Sequence, residues 1–406
     1  MKTLSQHIRK LNKKQFLVLR ELCRHSNSLY NCAVYCIRHH FNQTNSYIGY
    51  AKLYHELKVN EHYLAMPSKM AQQTLRLADK DMRSFFALLN RKRKGEYGAD
   101  VRIPRYKKAN SFFNLILPND QVSLRNGMLK LTRDIKLPFT HDIKGTIKQI
   151  IISPHMEGKR FSMCLQYEEA TTLPLAINKN NFLSIDLGIN NLIACASNVG
   201  PSFLLNGRPL KSYNQFYNKR ISEMKSELEK TTKKKWSMSM ERLSLKRQRW
   251  INNYFNQSIA LLMKYCLKHE IGMVIIGYNA EWKQEVNLGK TNNQKFCSIP
   301  HFLFKRKLQD KCANLGIEFI QQEESYTSKA SFLNGDPMKN GSEFSGKRIK
   351  RGLYCSKDGR IINADINGAL NIARKVFPEF SDEGIEALIV EPVKLNINSQ
   401  NLVFVQ

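Results

Sequence analysis

Between residues 16 and about 89, apolar side chains recur every three or four positions: Leu17, Leu19, Leu22 and Cys23 in one stretch, Met70, Leu75, Leu77, Phe85, Phe86 and Leu88 in another. That spacing predicts helices. After residue 110 the period shortens. Runs at 112–117, 121–124, 128–131, 135–137, 147–152 and 161–167 are short, apolar or alternating, and separated by Asn, Gly and Pro turns, which predicts the strands of a small β-barrel. A polar, proline-bearing bridge at 168–181 marks the main boundary. Beyond it, strands are predicted at 182–185, 192–196, 203–205, 273–276 and from 317. Helical stretches fall at 213–269, interrupted near 231–240, at 301–313, and around 365–376. Periodicity alone makes this second half mixed α/β.

Charge narrows the picture. The chain has 406 residues, enough for two or three domains, and 42% of them are hydrophobic. Against 34 Asp and Glu stand 64 Lys and Arg, a net charge of +30, which calls for a polyanionic partner. No apolar run approaches the roughly 18 residues of a membrane span, and the N-terminal residues lack the apolar core of a signal peptide. Nine cysteines are scattered without a Cys-x-x-Cys pair, as expected of free thiols in a reducing cytosol. The cations gather. Arg91, Lys92, Arg93 and Lys94 form a basic loop, followed by Arg105, Tyr106, Lys107 and Lys108. Lys234, Lys235, Arg247 and Arg249 accumulate on the long helical stretch, and Lys347, Arg348, Lys350 and Arg351 form a basic edge. Interleaved aromatics such as Tyr97 and Tyr106 favour phosphate and base-stacking contacts with nucleic acid.

The candidate chemistry is acidic. Asp186 stands where an apolar strand ends, and Gly188, Asn190 and Asn191 after it can supply the positive backbone angles of a tight hairpin. Asp365 stands at the mouth of a helix in which Ala369, Ile372, Ala373 and Val376 recur at helical spacing; Gly368 and Ala369 allow close packing on a sheet. A further strand ends in Glu323 and Glu324. Carboxylates at three element ends can build an oxygen cage for magnesium. Successive strand residues face opposite ways, so only one of the two glutamates should reach the metals, and the sequence leaves open which.

The segments SIDLGINNL, QEESYTSKASF and RGLYCSKDGRIINADINGALNIAR resemble the three acidic motifs of the RuvC-type nuclease in the TnpB (OrfB) family, RNA-guided endonucleases of bacterial insertion sequences related to type V CRISPR effectors. The resemblance implies an N-terminal β-barrel (1–15 and 110–170) with an inserted helical recognition lobe (16–109). It further implies a RuvC, RNase H-like α/β domain (180–325 and 363–378), an insertion (326–362) and a tail (379–406). It implies catalytic and metal-binding roles for Asp186, Asp365 and one of Glu323 or Glu324, with two Mg²⁺ ions, a guide RNA and target double-stranded DNA as partners, in the bacterial cytoplasm with the nucleoid. Two departures stand out. Relatives end an earlier strand in a pattern like Val-Ile-Glu-Asp-Leu, where this chain has Val274-Ile275-Ile276-Gly277-Tyr278. Either the site is dead and the protein is a guided DNA binder acting as a repressor, or the glutamate has moved to the next strand. In many relatives the insertion is a zinc ribbon with paired cysteines; Ala330 and a lone Cys355 stand here, so no zinc is expected.

Overall fold

The computed structural model describes residues 2–125, 127–132, 135–139, 141, 143, 145–169, 177–232, 235–278, 299–350, 352–381, 383 and 391–397. The chain divides into two compact units, Met1–Ala170 and Thr171–Gln406.

The first unit opens with β1 (Lys2–Ile8) and four helices, α1 (Lys13–Thr44), α2 (Tyr50–Leu57), α3 (Glu61–Leu64) and α4 (Ser68–Arg93). A capping box starts α1: the Asn12 side chain accepts from the Gln15 N–H at 2.8 Å, and the Gln15 side chain accepts from the Asn12 N–H at 3.2 Å. The apolar stripes of α1 and α4 meet around Leu19, Leu22, Tyr30, Met70 and Leu75. The predicted basic loop is instead helical through Arg93, because lysines and arginines on a last turn complement its exposed carbonyls. The strands β2 (Leu115–Pro118), β3 (Ser123–Arg125), β4 (Met128–Lys130), β5 (Lys136–Pro138), β6 (Gly145–His155) and β7 (Arg160–Glu169) follow. Among the described residues they form two sheets, β1-β7-β6-β2 and β3-β4-β5, both antiparallel, rather than one closed barrel.

In the second unit β8 (Asn178–Leu187), β9 (Asn191–Ser197) and β10 (Phe203–Asn206) form an antiparallel meander. Then come α5 (Arg208–Thr231), α6 (Met238–Lys268), β11 (Ile271–Tyr278), α7 (His301–Leu315) and β12 (Glu318–Glu323). Three short strands, β13 (Lys347–Lys350), β14 (Leu353–Cys355) and β15 (Ile361–Asn363), lead into α8 (Ala364–Val376). With β16 at Val393–Leu395, the main sheet has the order β12-β11-β8-β9-β10-β16, with β11 and β12 parallel to β8. Its edge strand β16 lies in the tail, to which sequence reading assigned no structure. The polar stretch 279–298, with Trp282, lies outside the described residues.

Alternation sorts the sheet's two faces. Leu183, Ile185, Val274, Ile276 and Phe319 join the core with α6 and α7, whereas Phe182, Ile275 and Ile320 pack with Ile372 and Ala373 of α8. Ser184 lies on this second face, donating to the Ala369 carbonyl at 2.6 Å. The same parity places Asp186, Gly277 and Glu324 toward α8. In the β8–β9 turn, Gly188, Asn190 and Asn191 all keep negative φ, contrary to expectation. Glycine is needed there for space: a Cβ on Gly188 would lie 2.5 Å from the Asn191 carbonyl oxygen.

Candidate active site

One helix assembles the acidic residues. On α8, residues 365, 368, 372 and 375 are spaced i, i+3, i+7 and i+10 and share a face. Asp365 stands at its N-terminus, where the Asn363 side chain caps the helix by accepting from the Asp365 and Ile366 N–H groups. One turn on, Gly368 lets the Asp186 carboxylate approach; a Cβ there would lie 2.9 Å from Asp186 Oδ2. Next, Ile372 packs beside Gly277, and at the end Lys375 Nζ donates to Glu323 Oε2 at 2.8 Å.

The two glutamates part at the end of β12. Glu323 is exposed; besides Lys375 it accepts from the Ser325 N–H at 2.6 Å and from the Ser325 hydroxyl. Glu324 turns inward, its N–H donating to the Tyr278 carbonyl at 3.2 Å. Its carboxylate fills the space beside Gly277, where a Cβ would lie 2.4 Å from Glu324 Oε2. The opposite parity of the two side chains, which sequence could state but not phase, is thus phased by Ile320, which faces α8.

Electrostatics couple the inward carboxylates. Burial pushes the Asp186 carboxyl well up, and the charges of Glu324 and Asp365 push it further, while Arg348 pulls it back. The Glu324 carboxyl is also raised by burial, with Lys305 opposing. For Glu323 burial acts upward, but the hydrogen bonds from Lys375 and Ser325 outweigh it and hold the carboxyl below its ordinary value. Asp365 accepts from Asn191 Nδ2 at 2.7 Å and pairs with Arg348 at 3.1 Å. Among the described residues no three His, Cys, Asp or Glu side chains close tightly enough to hold one ion in this geometry. The donor set nevertheless fits a hard divalent cation: Asp186, Glu324 and Asp365 offer only oxygens, and their mutual repulsion is relieved by positive charge placed between them.

A raised carboxyl in the folded protein means that its charged form is disfavoured there. The resulting penalty is absent below the unfolded-state value near pH 4 and grows as pH rises through the raised one. Asp186→Asn should therefore raise the melting temperature of the chelator-treated protein at pH 8, by about 2–4 °C per kcal/mol of penalty removed. The gain should vanish near pH 4. Thermal melts at the two pH values check it.

The predicted nucleic-acid contacts fall into two groups. Arg93, Lys94, Arg105, Lys108, Lys235, Arg249, Lys347 and Lys350 are exposed, as is Tyr106, over which Arg38 stacks at 4.6 Å. Arg91 and Lys92 are exposed and pair with Glu96 and Asp100. Three others are engaged within the fold. The Lys107 ammonium sits 4.7 Å above the Tyr30 and Phe113 rings, because Asn31 clasps the Lys107 backbone against α1. Arg247 donates to Asn214 at 2.6 Å and covers Tyr217, joining α6 to α5. Arg348 holds Asp365. Lys234 and Arg351 lie outside the described residues.

Sequence reading missed Asn191, Lys305 and Lys375. For Lys375 a signal existed, since a helical wheel places it on the Asp365 face. In the insertion, Ala330 is buried and Cys355 ends β14. Its loop is closed by the buried Asp336 carboxylate, which accepts from the Ser331 N–H at 2.8 Å and the Ser345 N–H at 2.9 Å. A second face of α8 fixes that loop: Asn367 accepts from the Phe332 N–H and donates to the Ala330 carbonyl, while Asn371 donates to the Thr327 and Ala330 carbonyls.

The chain and its fold find counterparts among known proteins. The OrfB_IS605 family model, described as a probable transposase, matches residues 162–283, and the Cas12f1-like TNB domain matches residues 301–372. The TnpB-like protein ORF457 of Acidianus two-tailed virus is 22% identical over 382 residues, covering 82% of this chain and 80% of its own. A Cas12f1 solved with sgRNA and target DNA shares the fold with a TM-score of 0.55 at 13% identity, over 89% of this chain and 83% of that one. Together these matches support a TnpB-family protein related to the type V effectors.

Proposed function

We propose that this protein is an RNA-guided, Mg²⁺-dependent DNA endonuclease of an insertion sequence, in which Glu324 replaces the glutamate that relatives carry on the preceding strand. The observation that carries the reading is the Glu324 carboxylate lying in the space that Gly277 leaves open, facing Asp186 across the sheet end. Asp186, Glu324 and Asp365 would hold the metals. Two Mg²⁺ ions held there would supply activation of the attacking water and charge stabilisation at the departing 3′ oxygen, the chemistry that gives 5′-phosphate and 3′-hydroxyl ends.

The protein's own residues prepare that site. Gly368 and Gly277 admit two carboxylates close to the helix and sheet backbone, Asn191 orients the third, and Arg348 balances its charge until a cation arrives. Nothing among them reads sequence. Sequence choice would pass to pairing with a guide RNA, while exposed cations such as Arg93, Arg105 and Lys108 hold the backbone. The Met1–Ala170 unit would grip the guide and read a short flanking motif, and the insertion's basic strand β13 would face the target strand. The Cas12f1 complex with sgRNA and target DNA supports these partners.

Gly277 itself favours a second reading, a guided binder that represses without cutting. The two separate in one experiment. Purified protein–RNA complex with Mg²⁺ is expected to cut a plasmid bearing a guide-matched target, and Asp186→Ala and Asp365→Ala to bind it without cutting. Tight guided binding with no cutting by the unaltered protein would overturn the nuclease and leave the repressor.

A further inference from the structure

We propose that the Glu323–Lys375 pair is a positioning clasp that turns Glu324 toward the metals. The inference rests on the reading of Glu324 as a metal ligand and assigns work to two residues that touch neither metal nor substrate. Glu324 lies just past the end of β12: the last paired residues are Tyr278 and Glu323, and a final bond from the Glu324 N–H to the Tyr278 carbonyl holds its backbone but not the direction of its side chain. Thr327 caps the Glu324 carbonyl, and the tie from the corner to α8 runs through Glu323, one of whose oxygens accepts from Ser325 while the other accepts from Lys375. Its neighbours on both sides are therefore tied: Ser325 to the Glu323 carboxylate and, through Lys375, the whole corner to α8. Lys375 is itself well covered, with 14% of its side chain exposed, whereas Glu323 keeps 53%.

The clasp also explains the order of residues on α8. Asp365 and Lys375 are ten residues apart, about 15 Å along a helix, and stand on one face with Gly368 and Ile372 between them. A single rigid element thus carries one carboxylate, makes room for the second at Gly368, flanks the third at Ile372, and fastens the strand end that bears it. A glutamate inside β11 would sit between two paired neighbours, β8 and β12, whereas Glu324 keeps a single bond to β11 before the chain turns away. Moving the carboxylate beyond the strand end transfers the task to a side-chain pair.

Coulomb's law and the clasp predict opposite signs for Lys375→Met. Removing a cation near a metal site strengthens cation binding by charge alone, whereas freeing Glu324 weakens it. The test is Mn²⁺ binding to the full chain, followed by the paramagnetic signal of free Mn²⁺. Lys375→Met and Glu323→Ala are expected to weaken binding about five- to tenfold. Lys375→Arg should stay within about twofold of the unaltered protein, and the exchange Glu323→Lys with Lys375→Glu should recover most of the loss. Unchanged or tighter binding in Lys375→Met, or an exchange no better than the single variants, overturns the clasp. Glu324→Ala runs beside them: if it too leaves Mn²⁺ binding unchanged, the nuclease site falls and the clasp with it. If it alone weakens binding, only the clasp falls.

Discussion

Glu324→Ala is expected to abolish the proposed guided cleavage, with a loss of about 10³-fold or more in single-turnover rate, while Glu323→Ala should stay within about tenfold of the unaltered protein. The difference follows from where each carboxylate goes. Glu324 turns inward beside Gly277, and its charge raises the Asp186 carboxyl; Glu323 is spent on Lys375 and Ser325. A carboxylate that holds a metal in place would act through the charge that metal offers the transferring phosphoryl group, which is worth several kcal/mol in the transition state, and about 4 kcal/mol is a thousandfold in rate. Guided DNA binding should survive in both variants, since sequence is read by pairing and the grip comes from cations elsewhere. The measurement is plasmid cleavage at saturating protein–RNA complex, beside binding in the same buffer. The reverse pattern, with Glu323→Ala inactive and Glu324→Ala active, would move the site to the outer face of the corner and remove Gly277 from the argument.

That the two glutamates behave differently was legible in the sequence; which of them faces inward was not. Alternation makes them opposite, yet the sequence around them has apolar residues of both parities, Ile317 and Phe319 against Ile320, so no phase could be assigned. The phase comes from α8, which packs on the face of Ile320 and is brought there by chain distant in sequence. Strand and helix positions in the second unit were readable because long apolar runs and a clear 3.6-residue period carry them. The small strands of the first unit were readable one by one, but their closure was not, since pairing between β1 and β7 joins residues about 160 apart and leaves no local mark. Charge alone does not show which cations also pack within the fold. Lys107 and Arg247 lie among basic neighbours, but each sits over an aromatic ring and serves packing. Arg348 was read as part of a basic edge and instead meets Asp365, because the insertion's strand β13 runs beside the helix mouth.

Gly277→Ala should cost cleavage about 10²-fold while moving the melting temperature by no more than about 2 °C. The new Cβ would stand 2.4 Å from Glu324 Oε2 and 2.8 Å from Ile372 Cδ1. Both are ends of flexible side chains, so the fold can yield at small cost, but the carboxylate must leave its place. A displacement of about 1 Å at a reacting centre is enough for a hundredfold loss. The complementary variant tests the idea from the other side. Gly277→Glu combined with Glu324→Ala would put a carboxylate back on β11, on the face shared with Asp186, while emptying the space that Glu324 fills. Cleavage is expected to return to within about tenfold of the unaltered protein, whereas Gly277→Glu alone should be poor, with two carboxylates contesting one space. If the double variant is as inactive as Glu324→Ala while still binding its guided target, the two positions are not equivalent, and Glu324 does something other than stand in for the missing strand glutamate. If it cuts, the glycine and the glutamate are two halves of one change: the strand gave up its side chain, and the next strand's end supplied one to the same place.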